Sequence, residues 1–103
     1  MAMQRNHVIK DTHNKQITAI GYSPMKHEIV AGFEDGTIKT WECTGDNIGK
    51  LSRVSHEHTG IVNCFLYWNE AKVLISAGND GQLIGWGTTM LPLAVNRIAM
   101  PVC

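Results

Sequence analysis

Residues 13–44 and 58–89 of this chain lie on one another at a fixed offset of 45, with no gap. His13 falls on His58, Tyr22 on Tyr67, Asp35-Gly36 on Asp80-Gly81, Trp41 on Trp86 and Thr44 on Thr89. Six identities are only about twice what average composition gives by chance (about 3). The weight lies in their kind. Apolar residues pair with apolar ones at Ile17/Val62, Ile20/Phe65, Ile29/Leu74, Val30/Ile75 and Ile38/Leu83. A turn pair lands on a turn pair, and a tryptophan closes the same run twice. A chain with a period of this length must fold as repeated units that stack on each other, because one unit alone cannot bury its apolar face.

Each unit reads as short strands. Ile17 to Tyr22 is a run closed by Ser23-Pro24, since proline cannot continue a ladder. Glu28 to Phe33 follows, with the consecutive Ile29-Val30-Ala31 of a strand covered on both faces. Glu34-Asp35-Gly36 is a hairpin signal, with glycine supplying positive φ and aspartate a local acceptor. Thr37 to Trp41 and Lys50 to Val54 complete the first set. The second set is Ile61 to Tyr67, Val73 to Gly78, Gln82 to Trp86 and a run between Leu93 and Ala99, with its turn at Asn79-Asp80-Gly81. Val8-Ile9-Lys10 aligns with Arg53-Val54-Ser55 and reads as the outer strand of a preceding unit. No helical periodicity of useful length occurs. The expected class is all-β: two four-stranded antiparallel blades, an open and incomplete propeller, divided as 1–10, 11–55 and 56–103.

The quoted residues resemble the WD-repeat family over nearly all of residues 8–100. His58-Thr-Gly-Ile-Val62, Phe65-Leu-Tyr67 and the run from Leu74 to Trp86 form one repeat; His13, Tyr22-Ser23-Pro24 and Glu28 to Glu42 form the other. The resemblance implies a structural network of His58, Ser76, Asp80 and Trp86 tying the second blade together. The first blade keeps His13, Asp35 and Trp41 but has Ala31 in the hydroxyl position. Glu42 and Gly87 replace the family's terminal aspartate, which lies outside the network. Physical chemistry agrees, since a buried indole N–H and imidazole need a hydroxyl and a carboxylate to satisfy them.

Composition restricts function. Nine basic and nine acidic residues cancel, with no basic cluster, so nucleic acid has little electrostatic hold. The longest uncharged run, Gly81 to Asn96, is too short and too rich in Gly, Thr and Pro to span a bilayer, and the N-terminus lacks a secretory apolar core. Cys43, Cys64 and Cys103 read as reduced thiols of an intracellular, cytoplasmic protein, with cytoskeletal association as a further option. Closed propellers have about four to eight blades. Two blades leave two apolar faces uncovered, so the expectation is a segment or short form of a longer propeller protein.

The inferred role is a non-catalytic scaffold for other proteins, with no cofactor, metal or membrane. Its partners are the remaining blades, further copies or unidentified proteins. Trp68, Met90 and Leu91 are candidate partner contacts. Inter-blade and hairpin loops at 11–16, 34–36, 56–60 and 79–81 offer further contact points. A different class also uses these residues: a small metal-binding or hydrolytic β-sheet protein acting through His56, His58, Ser76 and Cys64. Against it, a Cys-x-x-Cys pair is absent, and a serine inside an apolar strand is no exposed nucleophile.

Overall fold

The computed structural model describes residues 8–9, 14–24, 26–87 and 92–97, with Asn47 and residues 92–97 described by backbone alone. Eight strands follow in order: β1 Ile17–Ser23, β2 Glu28–Phe33, β3 Ile38–Glu42, β4 Leu51–Ser55, β5 Val62–Trp68, β6 Val73–Gly78, β7 Gln82–Trp86 and β8 Pro92–Arg97. They form two four-stranded antiparallel sheets, β1-β2-β3-β4 and β5-β6-β7-β8, each a simple meander. A single 3-10 turn at Gly45–Asn47 joins β3 to β4. Val8 and Ile9 form no ladder; Ile9 instead packs on Ala31, Phe33 and Trp41.

The 45-residue offset extends to irregularities that no hydrophobic pattern specifies. The register shifts between Ile17 and Ala19 in the first sheet and between Val62 and Cys64 in the second. It shifts again between Thr40 and Trp41, and between Gly85 and Trp86. His27 (φ 53°) and Lys72 (φ 56°), themselves 45 apart, both take the left-handed conformation in the turn between the first two strands of each sheet. The two β2–β3-type hairpins are also alike. Gly36 N donates to Phe33 O and Gly81 N to Gly78 O, each at 3.1 Å. Both glycines have positive φ (92° and 76°), the conformation that closes a hairpin of this kind at little steric cost.

The sheets stack face to face. Val30 and Ile38 of the first meet Val62, Leu74, Ile84 and Trp86 of the second in one buried cluster, with Ala19, Phe65 and Tyr67 at its margin. Gly21 and Gly32 bring the backbones close, since a Cβ on either would overlap Phe65 or Val62 respectively. Thr18 Oγ1 crosses the gap and donates to Val62 O at 2.6 Å. On the far face of the first sheet Ile9 packs over Ala31, Phe33 and Trp41, and Ile9, Lys15, Ile17, Ile20 and Ile29 line a cleft of about 290 Å³ with them.

Candidate functional site

The second blade holds a polar chain inside an apolar setting. β6 carries Ser76 and β7 carries Trp86; their fully buried side chains face the first blade. His58 lies in the connection before β5, and Asp80 in the β6–β7 hairpin. Trp86 Nε1–H donates to Ser76 Oγ at 2.8 Å, and Ser76 Oγ lies 2.8 Å from His58 Nε2. His58 Nδ1 lies 3.1 Å from Asp80 Oδ2. With a neutral imidazole the three links run in one sense: the indole donates to the hydroxyl, the hydroxyl to Nε2, and Nδ1–H to the carboxylate. Asp80 also accepts from Thr59 N at 2.9 Å and Gln82 N at 3.1 Å. Burial works against its charged form, but the Thr59 and Gln82 amides and then His58 outweigh it, holding the carboxyl below its ordinary 3.8.

This chain cannot act as a hydrolytic triad. The Ser76 hydroxyl has no exposed surface and receives the Trp86 indole on one side while meeting His58 on the other. A nucleophile needs open approach, which the burial of Ser76 denies it.

In the first blade the same hairpin bond recurs, Thr37 N donating to Asp35 Oδ1 at 3.0 Å. Trp41 is buried beside Ala31 and Phe33, and Ala31 supplies no hydroxyl. His13 lies outside the described residues, as do Met90 and Leu91. Trp68 ends β5 and is 52% exposed, whereas Ser23, its counterpart at the end of β1, is buried. The strand expected over Ile61 to Tyr67 runs instead from Val62 through Trp68.

The cysteine and histidine candidates disperse. Cys64 is disulfide-bonded, which corrects the expectation of a reduced thiol there and leaves it no thiolate to offer a metal. Cys43 is free. His56 is exposed, its Nδ1 3.3 Å from Thr37 Oγ1 on the hairpin edge, whereas His58 is committed to Asp80 and Ser76. Among the described residues no group of three or more His, Cys, Asp and Glu is placed to hold a metal ion. No helix among them is long and apolar enough to cross a membrane.

Sequence reading missed a second polar feature at the blade junction. Glu28 is buried at the start of β2; its Oε2 accepts from Ser52 Oγ at 2.6 Å, but Oε1 has no partner. Thr40 Oγ1, on the same sheet face, is buried and unpartnered too. The apolar run after Glu28 marks a strand, but nothing local signals that its carboxylate is covered.

These sheets, with their twin hairpins and blade-to-blade packing, define propeller blades. The profile of the "WD domain, G-beta repeat" matches residues 4–42, beginning ahead of β1 and ending with β3, one strand short of the first sheet. The chain is 32% identical over 72 residues to the ribosome biogenesis protein YTM1 of Candida glabrata, covering 70% of this chain and 15% of that one. It is 26% identical over 85 residues to cilia- and flagella-associated protein 52 of Homo sapiens, covering 82% of this chain and 14% of that one. The computationally designed Ika4 protein superposes with a TM-score of 0.74 at 27% identity, over 96% of this chain and 59% of the other. U3-55K superposes with a TM-score of 0.78 over 93% of this chain and 31% of the other; at 19% identity that likeness concerns the fold. The chain belongs to the WD-repeat family and spans about 15% of the length of the curated relatives it matches.

Proposed function

We propose that this chain serves as a non-catalytic platform for protein–protein interaction inside the cell, built from WD blades. One observation carries the reading. His58, Ser76 and Asp80, which have the types of a catalytic set, are linked into a buried chain that ties the second blade together. What reaches solvent is loop surface: Glu34 and Asp35 in one hairpin, His56, Glu57 and Thr59 before β5, and Asn79 in the other hairpin. Loops held by a rigid sheet are where recognition is built. Trp68 adds an exposed aromatic of the kind that anchors partners, with Met90 and Leu91 proposed alongside it. The named relatives, a ribosome biogenesis protein and a cilia- and flagella-associated protein, support an intracellular setting.

Two measurements on the purified chain and in cells test the proposal. A fluorophosphonate probe should leave Ser76 unlabelled. Cross-linking in the source cell should join the 34–36, 56–60 and 79–81 loops to another protein, and reversing the charge of Glu34 or Glu57 should weaken that link. Labelling of Ser76, or cross-links unaffected by every loop substitution, would overturn it.

A further inference from the structure

Among the described residues, Glu28 and Thr40 bury polar atoms that have no hydrogen-bond partner. Glu28 is 5% exposed and Thr40 1% exposed. Ser52 occupies one oxygen of the Glu28 carboxylate, and Oε1 and Thr40 Oγ1 are left over. The register brings these atoms to one place. Partners across a ladder share a sheet face, so Glu28 stands with Glu42, and Thr40 with Val30, on the face packed against the second blade. Ser52 belongs to β4, two strand spacings (about 10 Å) from β2. For its hydroxyl to donate to Glu28 Oε2 at 2.6 Å, the glutamate side chain must lie across β3. The carboxylate therefore rests over the strand that presents Thr40 and Glu42 on that face. Glu42 is half-buried and directly opposite Glu28, and like charges so placed repel. A buried carboxylate needs a counter-charge, and Arg53, opposite Thr40 on β4, is exposed.

We propose that the first blade binds a hard divalent cation here, held by Glu28 Oε1, Thr40 Oγ1 and the Glu42 carboxylate. One ion answers all three observations: it satisfies both leftover atoms and neutralises the facing pair of glutamates. The donors are oxygens alone, which suits calcium or magnesium rather than zinc. Calcium accepts an irregular shell, whereas magnesium demands a near-octahedral one, so calcium fits donors fixed by a sheet better. The repeat itself does not call for this site. At the 45-residue counterparts of Glu28, Thr40 and Glu42 stand Val73, Gly85 and Gly87, which offer no side-chain oxygen. The ion would also brace β4, whose residues from Leu51 to Val54 are all exposed, because Ser52 holds the same carboxylate from that strand. This inference is independent of the platform reading, which rests on the loops and on Ser76.

Thermal unfolding and calorimetric titration of the full chain, first stripped with a chelator, test it. Calcium chloride should raise the melting temperature by several degrees, since a ligand of the folded state alone stabilises it. Magnesium chloride should give a smaller rise. Amide exchange in β3 and β4 should slow when calcium is added. Glu28→Gln can keep the bond to Ser52 and should abolish the rise. Glu42→Gln and Thr40→Val should each weaken calcium binding about tenfold, because affinity follows the charge and number of the ligands. Without calcium, Thr40→Val only removes a leftover hydroxyl, so a stable variant with a weakened calcium response separates ligation from folding. Glu70→Gln, exposed in the β5–β6 turn, should respond as the wild-type chain does. A calcium rise that persists in Glu28→Gln would overturn the proposal. So would the absence of a response to either cation, and a melting temperature lowered by Arg53→Gln would then give the counter-charge to that guanidinium.

Discussion

Gly32 of β2 lies directly beneath Val62 of β5, and a Cβ added at Gly32 would overlap the valine side chain. The two blades are thus set at a distance that one missing methyl group permits. Gly32→Ala should push the sheets apart and cost about 1–3 kcal/mol, the usual range for overpacking a close-fitted core. Thermal unfolding of the variant measures it, and Val62→Ala in the same chain should recover part of the loss. No recovery would mean that the strain lies within β2 rather than between the blades.

Ser76→Ala removes a hydroxyl that joins two buried rings. Trp86 Nε1 and His58 Nε2 then both lose their partner in a place closed to water. Each stranded group costs about 1–3 kcal/mol, so the second blade should lose several times the effect of an exposed serine substitution. Amide exchange in β6 and β7 should accelerate while β2 and β3 change less. Uniform acceleration in both sheets would show that the network acts on the whole stack.

Acid should act through Asp80. Its carboxyl is held below 3.8 in the folded chain by amides and by His58, so the unfolded chain binds the proton more readily. The stabilisation is complete above that ordinary value and is lost as pH falls through the lower folded value. An unfolding midpoint followed from pH 6 down to pH 2 should show this loss, and Asp80→Asn should flatten the acid limb while lowering stability near neutrality. An equally steep acid limb in the variant would assign the effect to other carboxylates.

Thr40→Val should stabilise the chain. The Thr40 hydroxyl is buried without a partner, and valine keeps the shape while removing the uncompensated polar atom. The expected gain is about 1 kcal/mol, seen as a melting temperature raised by several degrees. A lower melting temperature would indicate a hydrogen-bonded water at that hydroxyl.

The strands were legible in the sequence because each blade alternates between two covered faces and carries unambiguous turn residues. Glu28–Phe33, Val73–Gly78 and Gln82–Trp86 begin and end where turn chemistry and apolar runs place them. The residues at positions 58, 76, 80 and 86 were singled out by the family resemblance, with which the need of buried indole and imidazole groups for complementary partners agrees. Other features depend on what lies across the gap between sheets, which a one-dimensional pattern does not carry. Gly21 and Gly32 look like ordinary strand glycines until Phe65 and Val62 are placed against them. Thr18 looks like a strand threonine until its hydroxyl reaches Val62 O. Burial of Glu28 arises among neighbours remote in the chain, such as Ser52.

The matched register shifts at Ile17/Ala19 and Val62/Cys64, and at Thr40/Trp41 and Gly85/Trp86, bear on how such a chain can lengthen. Copying one 45-residue stretch in tandem would carry every kink along with the strands it bends, so the added piece would arrive already shaped to its neighbours. Inserting or removing a single residue inside a strand would break that correspondence in one copy alone. Growth by duplication preserves the geometry, while growth by small insertions is confined to the connections, such as the 3-10 turn at Gly45–Asn47.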